Sequence, residues 1–319
     1  MGSGRWSTDV YTAADNYRRA TGTSAFAYSD SGARKAHPAL DPRGVDQRES
    51  RDSDEHPFST PISVLFDVTG SMGGVPRVLQ TKLPQLLGLL TRKGYATDPH
   101  IMFGAVGDAT CDRVPLQVGQ FESDNRMDED LARIVIEGGG GGQKSESYEL
   151  AMYFMARHTS LDSFAKRGRR GYLFLIGDEM PYDRVKPNEV AKFLGEKLAE
   201  PVSTEGIVAE LRRTFDVYYL LPTAASYGGD PEVLTRWRGL LGQNVLELDD
   251  LDAVCETIAL TVGLGEGTID LDSGLDHLVE AGSKHRATVG KALAPLQRGS
   301  VIHRDRLPVG DAASGNERL

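Results

Sequence analysis

Residues 62–71 read Ile62-Ser63-Val64-Leu65-Phe66-Asp67-Val68-Thr69-Gly70-Ser71. The first five form a short apolar, β-branched run, the texture of a strand buried on both faces. Asp67, Thr69 and Ser71 then stand at alternate positions, and a helix begins near Val75 with Pro76 suited to its first turn. Leu79, Leu83, Leu86, Leu87 and Leu90 give that helix a stripe of period 3.6, with Pro84 as a kink.

The same grammar repeats downstream. Ile101–Val106 and Tyr172–Ile176 are apolar strands that end at Gly107-Asp108 and Gly177-Asp178. Val217–Leu221 and Val245–Leu248 read as further strands. Helices are predicted over Met127–Glu137, Ser145–Thr159, Asn188–Ala199, Thr204–Thr214, Pro231–Leu241 and Asp250–Val262. Strands alternating with helices predict an α/β fold, a doubly wound and mostly parallel sheet with helices on both faces. Residues 58–263 form this unit. Residues 1–57 are polar and end in a mixed-charge run from Asp41 to Glu55, so the reading there is a largely irregular arm with one weakly helical patch at Thr8–Ala20. Residues 264–319 read as one amphipathic helix, about Gly274–Leu296, and a disordered tail.

Composition narrows the function classes. Lys+Arg number 36 against 46 Asp+Glu, a net charge of −10, which argues against a nucleic-acid surface built on bulk charge. The basic pairs Lys166-Arg167, Arg169-Arg170 and Arg212-Arg213 are short, lack interleaved aromatics and read as solvated helix ends or loops. No stretch approaches the ~20 apolar residues of a membrane helix, and the N-terminus has no apolar leader. Cys111 and Cys255 cannot build a disulfide framework or a zinc site by themselves. A cytoplasmic setting is the expectation.

Glycine is the compositional outlier, with 36 residues. Gly138 to Gly142 are consecutive, and Gly70, Gly73 and Gly74 crowd the first strand–helix junction, which suggests loops that approach something closely. Asp67–Gly74, Gly138–Ser147 and Gly177–Pro181 all sit where strands end. In an open α/β sheet that is where ligands bind. A carboxylate with two hydroxyls is a hard oxygen donor set that suits Mg²⁺.

Phe66-Asp67-Val68-Thr69-Gly70-Ser71-Met72 resembles the first motif of the von Willebrand factor A domain, the D-x-[ST]-x-S metal-ion-dependent adhesion site. Gly177-Asp178 after a buried strand is similar to that family's fourth-strand aspartate. The resemblance implies that Asp67, Thr69, Ser71 and Asp178 hold Mg²⁺ or another divalent cation such as Mn²⁺. The third loop departs from the family pattern, because Gly142-Gln143-Lys144 precede Ser145. The third-loop ligand is then Ser145, with Glu146 and Ser147 open as alternatives, and a lysine at 144 is tolerable only if it points outward. Gly70, Gly73, Gly141 and Gly142 would border the partner-binding face. The function implied is a metal-dependent protein-binding module whose cation takes an Asp or Glu of a partner, such as an AAA+ ATPase or another assembly component. An RNA–protein particle like that of the Ro family is a further possibility of the same fold. Two other readings share the residues. In a haloacid-dehalogenase-type phosphohydrolase Asp67 would be the nucleophile, with Asp178 and Asp183 holding Mg²⁺. In a scaffold of the same fold the metal site would have decayed.

Overall fold

The computed structural model describes residues 4–139, 142 and 144–298, apart from the side chains of Ser71, Gly73 and Arg298. Six strands make the central sheet: β1 (Thr60–Asp67), β2 (Pro99–Val106), β3 (Leu116–Val118), β4 (Gly171–Ile176), β5 (Phe215–Pro222) and β6 (Val245–Leu248). Their order is β6-β5-β4-β1-β2-β3, and every pairing is parallel except that of β2 with the edge strand β3. β1 lies between β4 and β2, and all eight of its residues are buried. Its register sets Phe66 beside Ile176 on one side and Ala105 on the other. The chain leaves β1 toward β2 and later returns on the opposite side as β4, so the strand order reverses between β1 and β4.

Alternation along the strands divides the core. Ile62, Val64 and Phe66 point to one face, and Leu65, Leu173 and Leu175 point to the other. The first face is covered by α2 (Val75–Leu87), α3 (Arg126–Arg133), α8 (Val254–Glu266), α9 (Leu271–Glu280) and α10 (Arg286–Arg298). The second is covered by α4 (Tyr148–Arg157), α5 (Asp162–Arg167), α6 (Thr204–Leu211) and α7 (Pro231–Leu241). The predicted doubly wound α/β architecture is present. No helix among the described residues is long and apolar enough to cross a membrane.

The N-terminal region has its helix where the weakly helical patch at Thr8–Ala20 is expected and is otherwise largely irregular, but it packs against the sheet domain instead of extending from it as an arm. Ser7 caps α1 (Thr8–Thr21) through Val10 N, and Tyr11 from that helix enters the core, its hydroxyl donating to the Gln80 carbonyl over 2.8 Å. Phe26 and Leu40 are fully buried. Arg48–Ser50 pairs in parallel with Thr159–Leu161. The Arg48 guanidinium donates to the carbonyls of Ala39 and Val118. A mean composition conceals this arrangement, because a few apolar anchors and many hydrogen bonds hold a segment that is polar on average.

Helix boundaries also shift: the helix predicted over Ser145–Thr159 runs over Tyr148–Arg157, because Ser145-Glu146 is extended and paired with Met180-Pro181, and three further shifts have equally local reasons. The helix predicted to reach Glu137 stops at Arg133, and the extended residues beyond it exchange both Val135 backbone bonds with the Gln117 side chain at 2.8 and 2.9 Å. The helix predicted over Asn188–Ala199 ends at Gly195, which has φ +79°. The single C-terminal helix is two, α9 and α10, separated at Gly282 with φ +76°. Leu275, Leu278, Val289, Leu293 and Leu296 are buried as predicted, but Val279 is exposed to solvent. The predicted tail, like Gly140, Gly141 and Gln143, lies outside the described residues.

Candidate metal centre

The site forms at the carboxyl edge of the sheet, where β1 and β4 part. Asp67 ends β1 and is 1% exposed. Its Oδ1 accepts from Thr69 N at 2.7 Å and from the Thr69 hydroxyl at 2.6 Å, a tight turn that fixes the carboxylate. Gly70 allows the turn to continue, since its φ of +37° is one an L side chain rarely adopts. Gly70–Gly74 is a 3₁₀ turn leading into α2. The glycine run docks on this loop: Gly70 N donates to the Gly139 carbonyl at 2.9 Å, and Gly138 N to that of Val68 at 3.3 Å.

Past the glycines, Ser145-Glu146 pairs in parallel with Met180-Pro181. That short ladder brings Glu146 and Glu179 to Asp67, and one carboxylate oxygen from each of the three lies within 4.8 Å of the others. Glu146 is 2% exposed, and its Oε1 lies 3.2 Å from the Thr69 hydroxyl. Glu146 Oε2 and Glu179 Oε2 are buried and have no hydrogen-bond partner. Orphaned carboxylate oxygens are costly in a protein interior unless a proton or a cation satisfies them, and the Glu146 and Glu179 carboxyls are close enough to share a proton.

An aromatic group holds the arrangement from below. Tyr219 and Trp237 stack with centroids 3.9 Å apart, and Tyr148 meets both edge-on. The Glu179 carbonyl accepts from Trp237 Nε1 at 2.8 Å and from the Tyr219 hydroxyl at 3.0 Å, so β5 and α7 fix its backbone. The Tyr148 hydroxyl donates to Asp67 Oδ2 at 3.3 Å. Gly177 is required beside it, because a Cβ there would overlap the Tyr148 hydroxyl.

The electrostatics follow from burial and crowding. Burial pushes the Asp67 carboxyl up to about 8, with Glu179 and Asp178 adding repulsion against the Thr69 hydrogen bonds. Glu146 rises strongly through burial and the neighbouring Asp67, and Glu179 rises as well, burial again leading. A carboxyl raised in this way holds its proton to higher pH than an exposed one, and a divalent cation can take the proton's place. The donors are all oxygen, three carboxylates and a threonine hydroxyl, which fits Mg²⁺ or Mn²⁺ rather than a thiolate- or imidazole-seeking metal.

Of the residues singled out in the sequence, Asp67 and Thr69 are in the cluster. Ser71 follows them in the 3₁₀ turn. Asp178 is buried nearby but turns to the next loop, where its Oδ2 accepts from Tyr227 N at 3.0 Å; its neighbour Glu179 joins the cluster. Ser145 is half-buried and lines a surface groove of about 690 Å³ with Met180 and Tyr182, while the adjacent Glu146 turns inward. The Ser147 hydroxyl accepts from Ala109 N. Lys144 points away, its Nζ 2.6 Å from Asp230 and 3.4 Å from Glu232. Asp183 is 87% exposed and pairs with Arg236, so the carboxylates of the phosphohydrolase reading are not gathered around Asp67. Asp108 closes its own turn on Thr110. Gly70 and Gly142 are exposed beside the site.

Glu179 escaped the sequence reading because strand alternation stops at Ile176, and nothing local reveals which of two consecutive acids turns inward. The distant Trp237 and Tyr219 decide it.

No family model matches the chain, and no curated protein matches it in sequence. Among solved structures, two forms of the pilus adhesin SpaC from Lactobacillus rhamnosus GG are similar, with TM-scores of 0.43 and 0.44 and 9% identity. They cover 68% of this chain and 31% and 32% of the adhesin. Proximal thread matrix protein 1 from the mussel byssus is similar with a TM-score of 0.42 and 11% identity, over 64% of this chain and 47% of that protein. The chain therefore spans about a third to a half of the length of these structures.

Proposed function

We propose that this chain is a von Willebrand A-type module that holds a divalent cation, Mg²⁺ or Mn²⁺, and uses it to bind an acidic residue of a partner protein. The observation that carries the reading is the convergence of Asp67, Glu146 and Glu179 with two buried, unpartnered carboxylate oxygens. Thr69 adds a neutral donor.

Residue chemistry accounts for both retention and recognition. Three ionised carboxylates would over-neutralise a dication and weaken its pull on a partner's anion. Burial and mutual repulsion favour keeping one proton within the cluster, so two negative charges balance the ion. Glu179 is only half-buried, and Gly70 and Gly142 are exposed, so the approach for a partner lies on that side. There a partner's Asp or Glu would complete the coordination shell in a partly dehydrated site, where charge-assisted contacts are strong. An AAA+ ATPase or another assembly component is the class of partner proposed.

Capture of partners from native lysate tests the function, comparing wild type with Asp67→Ala, each with Mg²⁺ and with chelator. The reading predicts a partner that wild type retains only with Mg²⁺ and that Asp67→Ala never retains. Retention by both proteins in chelator would contradict it and favour a metal-free scaffold.

A further inference from the structure

Where the edge strand β3 meets the N-terminal region, a cavity of about 170 Å³ opens between two segments far apart in the chain. Pro42 and Arg43 line it from one segment, Lys192 and Phe193 from the other. Backbone groups tie the two together: Gly44 N donates to the Leu194 carbonyl at 2.9 Å, and the Arg43 guanidinium donates to the Lys192 carbonyl. Leu116, the first residue of β3, also lines the cavity. It pairs with Val106, which pairs with Asp67, so this wall stands two strand spacings, ~10 Å, from the carboxylate cluster.

The charges around the cavity are not cancelled. Lys35, Arg43 and Lys192 line it and are exposed, and none forms an ion pair with a carboxylate of the described residues. The Lys192 ammonium lies instead over the Phe193 ring, 4.4 Å from its centroid. Arg113, also in the lining, is already satisfied by Glu137 at 3.1 Å. Asp41 is the one other carboxylate at the cavity, and its Oδ1 accepts from the Arg43 backbone N at 2.9 Å rather than from a side-chain cation. Three unpaired cations against Asp41 leave an excess of two positive charges, in a chain whose net charge is −10. Like charges gathered on one cavity repel, and an anion seated between them relieves that repulsion.

We propose that this cavity receives the Asp and Glu side chains of an acidic peptide segment in a partner protein. The two ammoniums are compact charges on flexible stems, suited to carboxylates that arrive along an extended chain. Arg43 bonds the Lys192 carbonyl through Nη1 and keeps its remaining guanidinium donors for the ligand. Pro42, Leu116 and Phe193 offer apolar surface to the methylenes of a glutamate. Phe193 is the lone aromatic of the described lining, which favours a peptide over a single-stranded nucleic acid that would need a stacking platform. The contact requires no cation at the carboxylate cluster and stands independently of that reading.

Fluorescence anisotropy of a labelled hexaglutamate peptide, titrated with the full chain in EDTA at low salt, tests this. Saturable binding is expected, and it should weaken as salt rises. Lys35→Gln combined with Lys192→Gln should lower the affinity about fivefold while the melting temperature holds, because neither ammonium has a carboxylate partner within the chain. Arg92→Gln combined with Lys284→Gln removes the same charge from exposed positions outside the cavity and should change the affinity by less than about twofold. Asp67→Ala should bind the peptide as wild type does, so failure of the cation reading leaves this result intact. Absence of saturable binding, equal weakening by the two double variants, or tighter binding of a labelled oligothymidylate of matched charge would overturn the proposal.

Discussion

The Tyr148 hydroxyl donates to Asp67 Oδ2 although the two residues are 81 positions apart, and it does so from a fully buried ring. The contact joins the first turn of α4 to the end of β1 and fixes the face that Asp67 presents to Glu146 and Glu179. Tyr148→Phe should therefore weaken cation binding by about tenfold, the equivalent of one hydrogen bond to a charged group of ~1.4 kcal/mol. Gly177→Ala should be harsher, because the new Cβ occupies the position of the hydroxyl itself. Calorimetric titration with Mg²⁺, together with thermal melting, separates lost affinity from lost folding.

The pH dependence has a definite sign. Asp67 rises from an ordinary 3.8 to about 8 on folding, so between those values the folded state holds a proton that the unfolded chain has released. Without a cation, stability should fall as pH climbs through that window. A cation binds the ionised form and displaces the proton, so its affinity should rise by up to about tenfold per pH unit. The melting-temperature gain from Mg²⁺ is expected to be larger at pH 8 than at pH 6. An equal gain at both values would show that no proton is exchanged.

Glu179 and Asp178 are adjacent, yet their carboxylates face different groups. Glu179→Gln removes a charge from the cluster and should abolish cation binding with little loss of fold, since its carbonyl keeps both aromatic donors. Asp178→Asn keeps an oxygen for Tyr227 N and should leave cation affinity within a few-fold of wild type. Mn²⁺ titration followed by electron paramagnetic resonance distinguishes the two.

The N-terminal region is integral to the fold. Leu40 is fully buried against the main core, and its carbonyl accepts from Val118 N, continuing the sheet edge. Leu40→Ala should cost about 2–5 kcal/mol, the range for a buried leucine truncated to leave a cavity. Chemical denaturation measures this directly. A flexible arm would show almost no change.

Much of the sheet was legible because buried parallel strands leave apolar runs such as Ile101–Val106 and Tyr172–Ile176, each followed by Gly-Asp. Asp67 and Thr69 could be named as a pair because two residues apart in a turn is a local relationship. Glu146 and Glu179 depend on the Ser145–Glu146 ladder with Met180–Pro181 and on Trp237 from α7, contacts that no window of sequence contains. The buried anchors of residues 4–57 were lost for the opposite reason, since averaging over a polar segment dilutes Tyr11, Phe26 and Leu40.

The central claim is that the carboxylate cluster holds a divalent cation, and calorimetric titration of the chelator-stripped protein with Mg²⁺ at pH 8 tests it most directly. One cation per chain is predicted for wild type, with protons released to the buffer, and none for Asp67→Asn or Glu179→Gln with folding retained. Absence of saturable Mg²⁺ or Mn²⁺ binding by well-folded wild type, or binding undiminished in both variants, would contradict the account.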